Sequence, residues 1–407
     1  MPPTTTTGSA IAGQIGTPDQ ALLREQLEEL EQIYRPSASE GERRAAEWIV
    51  GRFAEVGAEA RIEAEPAHGT YWLPLGLGAV LGALAGFLGL RGRRWLGAIV
   101  GAIGAAGIAD DFPPGQRRLR KPLAKRTTYN VLCEFGQAEA ERTMVIVAHH
   151  DAAHSGLIFH PGIPKFAERL GLIEGQDTSP PLMAPVVGGP ILAALGALTG
   201  RRALAKLGIF LGLGTAAAMA DIGRRKTVPG ANDNGTAVVA LLALARRLVE
   251  EPPRDIRVIL LSAGAEESFS EGIKAFGERH FPSLPRESTV FLAVDSIGSP
   301  HLLVLRGEGF LKVREYSPRA LALMDGLAEE LGIWLYPNLR LHNGTDGMEP
   351  LMAGYETASL CGCTDLKNPA NYHWPNDLAE NVDFGSVANG TRLIEAAVRR
   401  LDDRWLD

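Results

Sequence analysis

Two different periods of apolar and polar positions run along this chain, and two long stretches lack polar positions almost entirely. From Pro18 the spacing is helical: Leu22, Leu23, Leu27, Leu30 and Ile33 fall three or four apart and predict an amphipathic helix. A second helix is predicted in SASEGERRAAEWIVGRFAEVG. There Ser39 and Glu42 have the spacing of a capping box, and Ala46, Ile49, Val50 and Phe53 form the stripe to be buried. Gly57 ends the helix. RIEAE then begins a sheet, and YNVLCEF and TMVIVAHH read as further strands. The GQAEAER loop between those last two is too short for a crossover, so they should run antiparallel. If RIEAE also pairs antiparallel with YNVLCEF, it runs parallel to the strand ending at His149.

The stretches without polar positions are residues 71–109 and 181–220. Each consists of an apolar segment, a short basic turn (RGRR in one, RRALAK in the other) and a second apolar segment. That is the pattern of a helical hairpin in lipid, where a span takes about 20 apolar residues. Gly78, Gly82 and Gly86 recur at four-residue spacing, as do Gly97 with Gly101 and Gly208 with Gly212, which lets helices approach closely in a membrane. Tyr71, Trp72 and Trp95 suit the interfacial belts. The second arm of each hairpin looks short for a span, which leaves two soluble alternatives: a four-helix cap over the rest of the chain, or a contact between copies in a homo-oligomer. Both insertions should leave the sheet from the same end and form one module above it. Basic residues lie on both sides. Arg91, Arg93, Arg94, Arg201, Arg202 and Lys206 mark the turns, and more lie on the opposite flank between Arg117 and Arg126 and at Arg224, Arg225 and Lys226. With residues 1–17 read as a mobile tail and not as a secretory signal, this bias favours a multi-pass membrane protein whose main domain faces the cytoplasm.

Composition narrows the classes further. The 407 residues, 45% of them hydrophobic, fit one large α/β domain over 18–407 with the two insertions added. A net charge of −7 without basic runs interleaved with aromatics excludes nucleic acid as a partner. Three cysteines do not make a disulfide framework. Cys133 reads as core, and Cys361 and Cys363, on a loop leading to His373, as two ordinary thiols more readily than as a Cys-x-Cys pair that binds metal or responds to redox.

The candidate chemistry lies in an ordered set of metal-type ligands. It comprises His149 and Asp151 in VAHHDA, Asp233 in PGANDNGTA, Glu266 and Glu267 in SAGAEES, Asp295 in FLAVDSIG and His373 in NYHWPND. Each follows a strand-like run, where a parallel sheet presents functional groups. Carboxylates and imidazoles gathered this way suit a pair of zinc-like ions that activates water. Taken together, these motifs resemble the M28 family of zinc peptidases, over roughly residues 19–400 interrupted by the two insertions. The resemblance implies a zinc exopeptidase fold, with a central mixed, mostly parallel sheet flanked by helices.

It also implies roles. Asp233 would bridge two Zn2+ ions per chain, His149 and Asp295 would complete one shell, and Glu267 and His373 the other. Other divalent ions suit such a mixed site as well. Asp151 would orient His149, Glu266 would be the general base, and Tyr372 would stabilise an oxyanion. A peptide substrate cleaved at its N-terminal residue follows, since most relatives are exopeptidases. The alternatives on the same fold are a single-zinc acyltransferase resembling glutaminyl cyclase and a non-catalytic scaffold. His150 and His154 read as structural, Asp346 as a turn residue at least as readily as a substrate contact, and Asp377 as a cap for the last helix. Glu271 and Glu349 have no assigned chemistry.

Overall fold

The computed structural model describes residue 13 and residues 15–406. Most of the expected tail lies outside the described residues, and Ile15 is already buried in the core. Helix α1, Gln20–Glu31, starts at Asp19, whose carboxylate accepts the Ala21 and Leu22 N–H groups, and it buries Leu23, Leu27 and Leu30. Helix α2, Glu40–Glu55, is capped by Ser39, and its buried face is Ala45, Ala46, Ile49 and Phe53, with Val50 only partly covered. The reciprocal arm of the expected capping box is not made. The Glu42 carboxylate is fully buried and accepts instead from Ala38 N–H (2.6 Å), Thr128 O–H (2.7 Å), Tyr129 N–H (2.8 Å) and Ala265 N–H (3.1 Å). A carboxylate taken out of water needs several donors, and the strand and loops around it supply more of them than one helix terminus can.

Strand β1 is Ala60–Ala67, and the first insertion follows as α3, Trp72–Leu90, and α4, Arg94–Asp111. Strands β2 (Arg126–Phe135) and β3 (Arg142–His149) precede α5, Gly162–Arg169, and the second insertion, α6 (Ala184–Thr199) and α7 (Arg202–Arg224). Next come α8 (Thr236–Glu250), β4 (Ile256–Ala263), α9 (Glu271–His280), β5 (Thr289–Asp295) and β6 (His301–Val304). Short strands β7 (Gly307–Glu308), β8 (Arg314–Glu315) and β9 (Arg340–Leu341) form a separate small sheet around α10, Pro318–Leu331. Helix α11 (Met348–Ala353), β10 (Glu356–Cys363) and α12 (Phe384–Asp403) complete the chain.

The main sheet has seven strands in the order β1-β2-β4-β3-β5-β10-β6. Strands β4, β3, β5 and β10 pair in parallel, while β2 and β6 run against them, as the mixed and mostly parallel sheet requires. Strand β2 does run opposite to β3, but β4 lies between them, so the short loop joins strands that are not neighbours. Strand β3 is buried on both faces: Met144, Ile146 and Ala148 join the core under α1, α2, α8 and α12, and Val145 and Val147 join the core under α9. That explains its continuous apolar run. Cys361 and Cys363 correct the loop expectation, because both lie in β10 and are buried.

The four insertion helices pack on one another as a single module. The arm lengths differ from the sequence reading: α7, a second arm, has 23 residues and runs to Arg224, whereas α6, a first arm, is the shortest with 16. Among the described residues, α3 and α7 are long and apolar enough to cross a membrane. Small residues face inward at the helix crossings. Gly82 lies against Pro190, Gly104 against the Gly78 carbonyl, Gly208 against the Ala193 backbone and Gly212 against the Ala79 carbonyl. Large apolar side chains face outward, including Leu77, Leu84, Ile99, Trp95 (75% exposed) and Phe210 (72% exposed).

Candidate metal centre

Register brings the site together. His149 ends β3 opposite Ala263, the last residue of β4, so Glu266 and Glu267 follow on the adjacent strand three and four residues later. Asp295 ends β5, the other neighbour of β3. Asp233 stands in an extended conformation (φ −110°, ψ 89°) just before α8, and its peptide to Asn234 is cis. The turn around it is clamped from several sides. Asp377 accepts from Asn232 N–H (2.7 Å) and Asp233 N–H (3.1 Å). The buried Arg35 guanidinium donates to the carbonyls of Pro229 and Gly230, both at 2.6 Å, and of His150 at 2.7 Å. Asn234 binds the Val294 carbonyl (2.8 Å) and Ser296 N–H (3.0 Å), tying the turn to the end of β5. Asp377 therefore organises the Asp233 turn; the last helix is capped by Asp383 instead.

Asp233 presents one oxygen to each histidine. Its Oδ1 lies 3.3 Å from His149 Nε2 and its Oδ2 lies 3.3 Å from His373 Nε2. Asp295 Oδ2 is 3.8 Å from His149 Nε2, and Glu267 Oε2 is 3.2 Å from His373 Nε2. The donor atoms of His149, Asp233 and Asp295 lie within 4.8 Å of one another, and so do those of Asp233, Glu267 and His373. Glu266 belongs to a third such group with His149 and Glu267. These donor sets fit a divalent cation on three counts. Both histidines aim Nε2 at carboxylates. His149 Nε2 and Glu267 Oε1 are buried without a hydrogen-bond partner. And imidazole with carboxylate is zinc-type ligation.

The charges are arranged accordingly. Burial pushes Glu267 up to about 7, with the Asp233 charge adding to it against the pull of His373. Burial, then the Asp233 charge, pushes Asp295 up to about 6. Burial works to lower His373, but Glu267 and Asp233 raise it to about 10. Burial also drives Glu266 well above the carboxylate range, with His149 opposing and Glu267, Asp346 and Asp295 reinforcing. Crowded carboxylates of this kind are relieved by a cation placed among them.

Asp151 does more than face His149. Its Oδ1 lies 3.4 Å from His149 Nδ1, and its backbone carbonyl lies nearer, at 3.2 Å. Its carboxylate also accepts from Glu266 N–H (3.0 Å), Glu267 N–H (3.1 Å) and Ser37 O–H (2.6 Å). Tyr372 stacks on His373 with ring centroids 3.8 Å apart and accepts from Asn343 Nδ2 (3.0 Å). His150 bonds Ser262 Oγ and His154 bonds the Arg225 carbonyl, and neither joins a donor group.

Three features were not legible in the sequence. Arg35 and Ser37 sit in a loop and reach His150 and Asp151, more than a hundred residues away. Asp346 does lie in a turn, but it is only 3% exposed and neither carboxylate oxygen has a hydrogen-bond partner. Burial pushes it up to about 8, with His149 opposing and Asp151 and Asp295 adding. Finally, the turn carrying Glu266 and Glu267 is gripped from the first hairpin. Arg120, fully buried, pairs in two bonds with Asp111 at the end of α4 (2.8 and 2.7 Å) and donates to the Ser268 carbonyl (2.7 Å). Arg117 donates to the next carbonyl, that of Phe269, whose ring packs between Tyr71, Phe112 and Phe310. Glu271 lies 3.4 Å from Arg120 and accepts from the N–H groups of His68 and Gly69.

Residues 217–398 match the model of Peptidase family M28. No curated protein matches the chain. Among solved structures, the aminopeptidase from Aneurinibacillus sp. strain AM-1 is similar, with 14% identity and a TM-score of 0.56 over 97% of this chain and 96% of that one. The zinc aminopeptidase of Bacillus subtilis has 13% identity and a TM-score of 0.53, over 94% of this chain and 95% of its own. The Bacteroides thetaiotaomicron glutaminyl cyclase has 11% identity and a TM-score of 0.56, over 94% and 98%. At these identities the likeness establishes the zinc exopeptidase fold.

Proposed function

We propose, from the match of residues 217–398 to Peptidase family M28, that the chain is a two-zinc aminopeptidase of that family held at a membrane. One observation carries the catalytic part: two donor triads, His149 with Asp295 and Glu267 with His373, share Asp233, one of whose oxygens faces each histidine. Bound cations would supply Lewis acidity to the scissile carbonyl and lower the pKa of the attacking water. The rest falls to side chains. Glu266 stands outside the two triads that contain Asp233, so it is the group left to take the proton from the water and hand it to the leaving amine. Asp151 fixes both Glu266 and Glu267 through their backbone N–H groups. Tyr372 receives its own hydrogen bond from Asn343, which leaves its O–H to donate to the oxyanion. Asp346, buried with two unpaired oxygens, is suited to the free ammonium of a substrate N-terminus. The membrane part rests on the hairpin module, which is small inside and large-apolar outside. Water favours the reverse distribution, whereas lipid-facing helices take this one.

Metal analysis of the detergent-extracted protein, with a panel of fluorogenic aminoacyl substrates read with and without chelator, tests this reading. Two zinc ions per chain and chelator-sensitive release of N-terminal residues are expected. One ion per chain with cyclisation of N-terminal glutamine would instead favour the glutaminyl cyclase reading, which the fold likeness also supports. Glu266→Gln should retain the metal and lose roughly 10²–10⁴-fold in kcat. Activity near wild type in that variant would remove Glu266 as the base.

A further inference from the structure

Between His149 and the second hairpin lies a segment that neither the metal site nor the four-helix module explains. Six large apolar side chains stand exposed within it: Leu157, Ile158, Ile163, Phe166, Leu170 and Leu172, with Phe166 and Leu172 each 62% exposed. Helix α5 at its centre carries Lys165, Glu168 and Arg169 beside these apolar positions, so it is amphipathic although it covers nothing. An apolar surface this dense is rare on a protein that meets only water.

Its level in the molecule is fixed at both ends. At the start, Leu157 N–H donates to Asp221 Oδ2 (2.7 Å) near the end of α7, and His154 packs its ring on Trp72, the first residue of α3 (4.5 Å). At the return, Lys367 Nζ donates to the Ile173 carbonyl (2.6 Å), and Arg340 N–H to the Asp177 carbonyl (2.9 Å), on the catalytic domain. The segment thus leaves and rejoins the fold at the boundary between module and catalytic domain. Exposed Lys121, Lys125, Arg126, Arg224 and Lys226 lie close to the same boundary in the chain, after α4 and at the end of α7. The segment also walls the site, since the Phe159 ring meets those of His373 (4.5 Å) and Tyr372 (5.7 Å) edge to face.

We propose that residues 157–172 form an interfacial collar seated in the headgroup layer of an anionic bilayer, so that the site takes peptides whose far end is held in the membrane. The proposal rests on the reading that the module inserts in lipid. Short amphipathic segments with apolar tips and basic neighbours occupy this depth, where apolar side chains reach the acyl boundary and the cations meet anionic headgroups. A substrate diffusing in the bilayer plane would then meet the site along the collar.

The test uses the full chain reconstituted into vesicles of phosphatidylcholine doped with phosphatidylglycerol. Because the three native cysteines are buried, a fluorophore can be placed selectively at Leu170→Cys or at Leu84→Cys. Leu84 lies on the outer face of α3, roughly 18 Å along the helix from Trp72. Lipids carrying a nitroxide at the headgroup should quench the probe at 170 most strongly, and lipids carrying it at the chain centre should quench the probe at 84. If 84 is quenched and 170 is quenched by neither, the collar is overturned and the inserted module stands. If 84 is quenched by neither, the membrane reading fails and the collar with it. A probe at 170 shielded from water but unquenched by lipid would mean a contact with a second copy, which also overturns the collar. In activity, the triple variant Phe166→Ser, Leu170→Ser and Leu172→Ser should cleave a soluble aminoacyl substrate at the unchanged rate. It should lose roughly tenfold on the same peptide tethered to lipid. Equal rates on both would overturn the substrate assignment.

Discussion

Asp151 shows how much one buried side chain can organise. Its carboxylate takes three donors, from Ser37, Glu266 and Glu267, and the last two are backbone N–H groups of one turn. Asp151→Asn replaces one acceptor oxygen with an N–H2 group that faces other donors. Metal affinity should fall about 10–100-fold, as for other partners of metal ligands, while the far-UV spectrum stays native. Competition with a chromogenic chelator measures this, and unchanged affinity would reduce Asp151 to a packing role. His149, Asp151, Asp233, Glu266, Glu267, Asp295 and His373 were all recognisable as residue types at spacings that point to a metal. Asp346 and Arg35 were not. Nothing local distinguishes a buried unpaired aspartate from an exposed one in a turn, or a structural arginine from a solvated one.

Among the elements, the end of the first hairpin and the turn that carries Glu266 and Glu267 are joined by a buried clasp, Asp111–Arg120–Ser268. Arg120→Met leaves Asp111 buried without its charge partner and should cost roughly 3–5 kcal/mol. Changing the pair together, Asp111→Leu with Arg120→Met, should recover part of that stability, because Asp111 is then no longer stranded, although Glu271 still loses Arg120. The kcat should nevertheless stay low with KM little changed, since the Ser268 carbonyl is no longer held and the adjacent Glu266 and Glu267 lose a fixed position. Full recovery of kcat in the double variant would assign the clasp to stability alone. The helices α1 and α2 and the strands were legible from period and capping. The arm lengths of the hairpins were not, because an apolar run carries no mark of where packing, rather than composition, ends a helix.

Across the whole molecule, Glu271 couples three parts: the segment after β1 through His68 and Gly69, the hairpin end through Arg120, and the start of α9 on which it sits. Burial alone would raise its pKa, but the bond to His68 and the charges of Arg120 and Arg117 hold it down at about 2. A depressed carboxylate contributes stability that is whole above its ordinary value near 4.5 and is lost as pH falls towards 2. Unfolding followed by urea should therefore show roughly 3 kcal/mol disappearing across that window, and Glu271→Gln should flatten the slope there. An unaltered slope would show that other carboxylates carry the acid sensitivity.

The amino-acid sequence alone determined the period of each element, the candidate ligand residues in their local motifs, and the two hairpins, because these depend on residues a few positions apart. Only the tertiary structure decided that β4 separates β2 from β3 and that Asp377 serves Asp233 and not the last helix. It alone also placed the hairpin end against the turn that carries Glu266 and Glu267, and the start of the exposed apolar segment 157–172 against the end of α7. Those are matters of distance between residues remote in sequence, and hydrogen bonding, burial and charge act through distance.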